Sequence, residues 1–353
     1  MIPIIFGEGP VKPQSRVYWV AVDLGTSTIK ASVLDKRNNP VRLSYPMGDH
    51  ATTLLSSVVV VTEDKKVIIG DYATQLGVSN PNMRVYDWLH SVHKSLIAKT
   101  IFETIKQASI KHYNNSSIGV VLLYNNIVDP ELECIAKTVF GEVQTMQVGK
   151  VLKHIISPNS NLMLIADFGE SAFRVTLQDK AKCLYQNYNN SLGFSSFDML
   201  SLIDCGDVSS HSSIEIALLG QMMQRIKIMA NNGGEVVLPN NISAKGNSLS
   251  SSFEQKMTTF LYQCFEECTN ALKSSSKSWN DIEEIVFVGG GAHSSIIDTI
   301  FEKYMQSHYT LVSYNSKNRG FDAQYATTNC AIQMPELKDI GTQWSVKGGN
   351  FIG

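Results

Sequence analysis

The sequence predicts an α/β protein made of two similar lobes. Three observations carry this. A unit of two apolar strands around a glycine turn occurs twice, at residues 17–35 and 162–178; an aspartate closes the first strand of each, Asp23 and Asp167; and stretches with helical periodicity follow both units. A duplicated hairpin unit with helices around it implies two lobes and a cleft between them, where ligands settle. At 353 residues, 43% of them hydrophobic and 18% charged, the chain is long enough for a substantial core in each lobe. The resulting division is an N-terminal extension over 1–16, lobe I over 17–156, lobe II over 157–335 and a C-terminal tail over 336–353.

In lobe I, Val17-Tyr18-Trp19-Val20-Ala21-Val22-Asp23 is apolar enough for a buried strand. Gly25 turns it, Ile29-Lys30-Ala31-Ser32-Val33-Leu34-Asp35 returns, and Asn38-Asn39-Pro40 is the exit turn. Ile97, Ile101, Ile105 and Ala108 recur at helical spacing and mark one helix face. Lobe II repeats the layout with Leu162-Met163-Leu164-Ile165-Ala166-Asp167, a turn, and Phe173-Arg174-Val175-Thr176-Leu177. Its helix face is Phe253, Met257, Phe260, Leu261, Cys264 and Cys268. Phe287-Val288-Gly289-Gly290-Gly291-Ala292 is a third strand running into glycines. Ser- and Asn-rich stretches near 113–117, 157–161, 186–191, 207–213 and 240–252 read as loops.

Composition narrows the function. A net charge of -2 gives no electrostatic reason to expect nucleic acid or an acidic membrane as main partner. Met1-Ile2-Pro3-Ile4-Ile5-Phe6 lacks a basic flank and a sustained apolar core, and no apolar run approaches the roughly 20 residues that cross a bilayer, so the expected compartment is the cytoplasm. Six cysteines, Cys134, Cys183, Cys205, Cys264, Cys268 and Cys330, form no CxxC pair, which implies neither a zinc site nor a disulfide framework; Cys264 and Cys268 read as core packing.

The chemistry concentrates in the strand-to-glycine segments. Facing glycine turns expose backbone N–H groups to anions, and carboxylates at the strand ends hold a cation, so the combination suits the phosphates and metal of a nucleotide. ATP is the expected ligand. Asp23 and Asp167, taken alone, are also ordinary turn-capping residues.

These segments carry a resemblance. Asp23-Leu24-Gly25-Thr26-Ser27 resembles the first phosphate loop, Asp167-Phe168-Gly169 the second, and Val288-Gly289-Gly290-Gly291 the adenosine loop of the actin-like ATPase superfamily, which includes actin, the DnaK-type chaperones, MreB, ParM and the sugar kinases. Within it, Ser57-Val58-Val59-Val60-Val61-Thr62, Ile69-Gly70-Asp71-Tyr72-Ala73, Asn80-Pro81 and Leu192-Gly193-Phe194 are most similar to the DnaK-type nucleotide-binding domain. The resemblance implies a duplicated ribonuclease-H-like fold, two lobes around a central nucleotide cleft, with ATP or ADP and Mg²⁺ as ligands. It implies that Asp23 and Asp167 hold the metal through water and form the catalytic pair, and that Gly25, Thr26, Ser27, Gly169 and Gly193 approach the phosphates. Gly289, Gly290 and Gly291 would lie along the α-phosphate and adenosine, His293 would stack on adenine, and Gln224 and Lys227 would hold the ribose. On residue pattern alone, the last two equally suit a solvated helix face, and His293 an exposed helix start.

The departures from that pattern fall on the hydrolytic parts. Leu89 stands where the chaperones carry a phosphate-contacting lysine, and the second loop, ending Glu170-Ser171-Ala172-Phe173-Arg174, lacks two glycines, the Thr and the final Asp. Lys94 or Lys150 is a candidate replacement cation, and Glu170 brings a further carboxylate towards the phosphates. The expectation is a nucleotide-binding module resembling the DnaK type, without room for a substrate-binding domain, with slow or absent hydrolysis and nucleotide-gated binding of a protein partner. An actin-like filament protein, self-associating with ATP, is the alternative; Asn318-Arg319-Gly320-Phe321 resembles ParM-like chains. A small-molecule kinase ranks third, because no sugar-recognition Asp is apparent.

Overall fold

The computed structural model describes residues 17–25, 28–47, 50–80, 83–85, 88–125, 127–156, 161–169, 172–179, 182–189, 193, 235–238, 242–245, 251–293, 295–308, 322–334 and 337. Over these residues it is a mixed α/β structure with two principal sheets.

The first sheet starts with the hairpin β1 (Tyr18–Leu24) and β2 (Thr28–Leu34), followed by β3 (Pro40–Arg42). Asn38 turns the chain between β2 and β3 at φ 61°, a left-handed position that asparagine tolerates. A small hairpin of β4 (Tyr45–Met47) and β5 (His50–Thr52) follows, then β6 (Leu55–Ser56), which pairs with β2. The expected Ser57–Thr62 strand is β7 (Val59–Val61), paired with β8 (Val67–Ile69) and, beyond α1 (Asp71–Ser79), with β9 (Arg84–Val85). The helix α2 (Lys94–Tyr113) buries Ile97, Ile101, Ile105 and Ala108, the face its periodicity predicts. It ends at Asn114 in the left-handed region, with Lys111 and His112 in the last turn, where cations suit the helix dipole.

Two parallel strands complete this sheet. β10 (Ile118–Tyr124) lies beside β1, and β11 (Val143–Gln147) beside β10, joined by α3 (Pro130–Phe140). α3 starts on Asp129, whose carboxylate accepts from the amides of Glu131 and Leu132, and Pro130 occupies the first helical position, where no N–H is needed. The chain leaves by α4 (Val148–Ile156).

The second sheet repeats the arrangement. β12 (Leu162–Phe168) and β13 (Phe173–Asp179) form the predicted hairpin, β14 (Lys182–Asn189) pairs antiparallel with β13, and a parallel strand comes to lie on the other side of β12. Before that strand come the two-stranded ribbon β15 (Glu235–Leu238) and β16 (Ile242–Lys245) and the long helix α5 (Ser251–Ser274); the strand itself is β17 (Glu284–Val288), followed by α6 (Ser295–His308) and α7 (Ala326–Ala331). In both sheets the aspartate-bearing strand is central, with its hairpin partner and a third antiparallel strand on one side and a parallel strand on the other.

Two expected loops are partly regular structure. Residues 186–189 belong to β14 and 242–245 to β16, while α5 already begins at Ser251. β14 is an edge strand bonded only to β13, with Leu184 and Tyr185 packed against the second core and mostly polar residues around them, so its composition reads as a loop although it is a strand.

Three apolar clusters hold the molecule together. One lies between the first sheet and α2 and α3, around Val20, Ile29, Phe102 and Val120. Another lies between the second sheet and α5 and α6, where Phe168, Phe287, Phe301 and Phe265 make successive edge-to-face contacts with ring centroids 5.4, 5.1 and 5.3 Å apart. Such pairs add roughly 0.5–1.5 kcal/mol beyond their area. Cys264 and Cys268 are buried in this second cluster, as predicted, and burial pushes the Cys264 thiol up to about 11, an inert packed group. The third cluster joins the sheets: Trp19 and Ala21 of β1, Met163 and Ile165 of β12 and Val288 of β17 close on Leu152 of α4 and Ala331 of α7.

Candidate functional site

The sheet registers place the two aspartates in equivalent surroundings. Asp23 lies directly opposite Lys30 across β1 and β2, and Asp167 directly opposite Arg174 across β12 and β13. Opposed residues of an antiparallel pair project from the same face, so each carboxylate meets a cation. Lys30 Nζ stands 3.5 Å from Asp23 Oδ2, and Arg174 donates to Asp167 Oδ2 at 2.8 Å. All four side chains are largely covered yet reachable, with exposures of 12% for Lys30, 24% for Asp23, 24% for Arg174 and 16% for Asp167.

The two hairpins also sense one another. Burial pushes the Asp167 carboxyl above its ordinary value, Arg174 and Lys30 pull it down, and Asp23 raises it further by like-charge repulsion. Lys30 and Asp23 thus act across the two sheets on Asp167, so both hairpin ends share one electrostatic neighbourhood.

Gly289 closes the site from β17. Its φ of 89° is left-handed, and a side chain there would put Cβ 2.6 Å from the Phe168 carbonyl oxygen and 2.7 Å from Asp167 Oδ1. The segment 322–331, which includes α7, then ties this turn to the first sheet. Gly289 N–H donates to Ala323 O at 3.0 Å, and Thr327 Oγ1 donates to Asp23 Oδ2 at 3.3 Å. Further along, Asp322 accepts from Arg42 of β3, Ser32 Oγ of β2 stands within hydrogen-bond distance, 2.7 Å, of both Thr328 Oγ1 and Asn329 Oδ1, and Tyr325 O–H donates to Thr53 O beneath the Arg42 guanidinium.

The predicted binding residues divide accordingly. Asp23, Asp167 and Gly289 come together. Gly25 is fixed beside them, its carbonyl accepting from Ser57 Oγ at 2.7 Å, and any Cβ on it would stand 2.5 Å from Thr28 O. Gly169 caps its hairpin by donating to Ala172 O at 3.0 Å. Gly290 and Gly291 begin the short 3₁₀ turn that contains His293, whose side chain lies outside the described residues, and Gly193 is a buried bend. Thr26, Ser27, Glu170, Gln224, Lys227 and residues 318–321 also lie outside the described residues.

Of the candidate replacement cations, one is engaged elsewhere and one is exposed. Lys94 is held by Asp129 at 2.6 Å and Glu131 at 3.1 Å at the start of α3, and Lys150 is exposed on α4. Leu89 packs against the first core cluster. The cations at the site are instead Lys30 and Arg174, which the sequence reading passed over. Their signal was present: each stands seven residues after its aspartate, an offset shared by both hairpins.

This pairing bears on a divalent metal. The two carboxylates expected to hold Mg²⁺ are each already paired with a cross-strand cation. Ion-paired carboxylates beside fixed cations suit a divalent ion poorly. Phosphate oxygens fit better: Arg174 Nε is buried with no hydrogen-bond partner among the described residues, and a lysine ammonium offers three donors.

A separate cavity of ≈ 590 Å³, lined by Val61, Glu63, Lys65, Asn80, Met83 and His93 among others, includes none of the predicted site residues. No protein-family model matches the chain. No helix among the described residues is long and apolar enough to cross a membrane.

Proposed function

We propose that the chain is a nucleotide-binding protein built on the duplicated ribonuclease-H-like plan of the actin-like ATPases, most similar in pattern to the DnaK-type nucleotide-binding domain. ATP or ADP lies between the lobes, its phosphates against the hairpins of Asp23 and Asp167 and its nucleoside along Gly289. The observation that carries this reading is the contact of the Gly289 turn with Asp167 and with the segment that reaches Asp23, between two sheets that share a four-strand core of the same order. Hydrolysis is slow or absent, because the chain packs Leu89 against the first core cluster at the expected lysine position and engages Lys94 with α3.

Nucleotide binding alters a partner surface through the segment 322–331, which touches both the Gly289 turn and β1 to β3. The protein acts in the cytoplasm; the five described cysteines, all free thiols, agree with a reducing compartment. A second reading, an actin-like filament protein, draws on Val92 and Ile127, apolar residues 95% and 85% exposed on the loops before α2 and α3.

The test is a titration with ADP, ATP and a non-hydrolysable analogue, read as thermal stability, with phosphate release and light scattering in parallel. A ligand at about 100 times its Kd stabilises the native state by roughly 2.7 kcal/mol. Hydrogen exchange should slow at amides 24–28, 168–173 and 289–292 when nucleotide is present. No stabilisation by any of the three nucleotides refutes the proposal, and scattering that grows with ATP selects the filament reading.

A further inference from the structure

We propose that Lys30 and Arg174 are built-in counter-cations for the phosphates and that this chain binds nucleotide without a divalent metal, an inference that rests on the nucleotide reading above. The charge count carries it. Two carboxylates bridged by one divalent ion sum to zero, and so do Asp23 and Asp167 with Lys30 and Arg174. A polyphosphate entering this site meets the same net charge that a metal-loaded acidic pair would present, but the two positive charges are covalently attached. They are also placed for it: each is opposite its aspartate in register, at 3.5 and 2.8 Å, and partly open to solvent.

Both pairs use the Oδ2 atoms, so a divalent ion reaching the remaining carboxylate oxygens would stand beside two fixed cations, which repel it. Phosphate oxygens have no such obstacle. Arg174 uses Nη1 on Asp167 and keeps Nε, buried and unpartnered among the described residues, for another acceptor. Its planar fork suits phosphate, and Lys30 adds a compact point charge from the opposite hairpin. The aspartates then act as positioning residues that hold the two cations towards the cleft.

The experiment is calorimetric titration of the full chain with ADP and ATP, in EDTA and in excess MgCl₂. The wild type should bind equally well in both, and Arg174→Ala should weaken binding in EDTA by roughly 10- to 100-fold, the loss of one charge-assisted contact. Because that variant frees Asp167, Mg²⁺ should restore part of its affinity, creating a metal dependence the wild type lacks. Arg174→Lys, which keeps the charge, should retain metal-free binding and serves if Arg174→Ala fails to fold. Binding by the wild type only with Mg²⁺, or an Arg174→Ala variant indistinguishable from it, overturns the assignment while leaving nucleotide binding intact. No binding in either buffer removes the nucleotide reading and this inference with it.

Discussion

Replacing Gly289 by alanine tests how closely β17 is pressed onto the Asp167 hairpin. Two costs combine. The left-handed φ of 89° penalises an L-residue by roughly 1–2 kcal/mol, and the added methyl would stand 2.6 Å from Phe168 O, 2.7 Å from Asp167 Oδ1 and 2.9 Å from the Phe168 carbonyl carbon. Two of those three atoms are backbone of a strand held on both sides, so relief requires moving β12 or β17. Overpacking of this kind costs typically about 1–3 kcal/mol. The total, roughly 2–5 kcal/mol, corresponds to a drop in melting temperature on the order of 3–7 °C for a chain of this size. Gly290→Ala is the control, since its Cβ would meet nothing within 4 Å, and it should change stability by no more than about 0.5 kcal/mol. Thermal and urea denaturation of both variants decide the matter. Equal melting temperatures for the two would refute the close approach and, with it, the fixed position of Asp167.

Leu152→Ala removes a fully buried side chain from the cluster shared by both sheets and should cost about 2–5 kcal/mol, with unfolding still a single transition by circular dichroism and by tryptophan fluorescence. Two separate transitions would show that the sheets do not depend on this cluster. Asp129→Ala should lose about 0.5–2 kcal/mol by uncapping α3, whereas Asp129→Asn keeps most of the cap. The pH dependence has a defined sign. Burial pushes the Asp129 carboxyl up, but Lys94 and the amides of Leu132 and Glu131 more than offset it, and Ser95 and Lys94 lower Glu131. Lowered carboxyls contribute stability above their unfolded values and lose it as the pH falls below about 4, so acid unfolding of Asp129→Asn should be shallower than that of the wild type. Gly149→Ala lies within α4, where its Cβ meets nothing within 4 Å, and should raise stability by about 0.5–1 kcal/mol in urea denaturation.

What the sequence disclosed depended on how local the signal was. Both hairpins, with Asp23 and Asp167 at their strand ends, followed from apolar runs broken by glycine, and α2 and α5 followed from one apolar face each. β14 was hidden because an edge strand that contributes only Leu184 and Tyr185 to the core otherwise has the composition of a loop. The ion pairs were hidden for a different reason. Lys30 and Arg174 sit among alternating strand residues and read as ordinary polar positions; only the antiparallel register shows that they face the aspartates. The bridge through residues 322–331 was beyond local reading altogether, since Ser32 and Thr328 meet across nearly the whole chain.

That last contact sets an order for synthesis. The back of the amino-terminal sheet, where Trp19, Ala21 and Val121 cluster with Ala326, Cys330 and Ala331, lacks that part of its cover until the ribosome has made α7, some two to three hundred residues later. Until then a growing chain displays an apolar strip of the sort that holdase chaperones recognise and that nascent chains use to aggregate. A nascent polypeptide stalled before α7 should therefore remain bound to such a factor, and release should coincide with the emergence of the segment that Ser32 is waiting to grip.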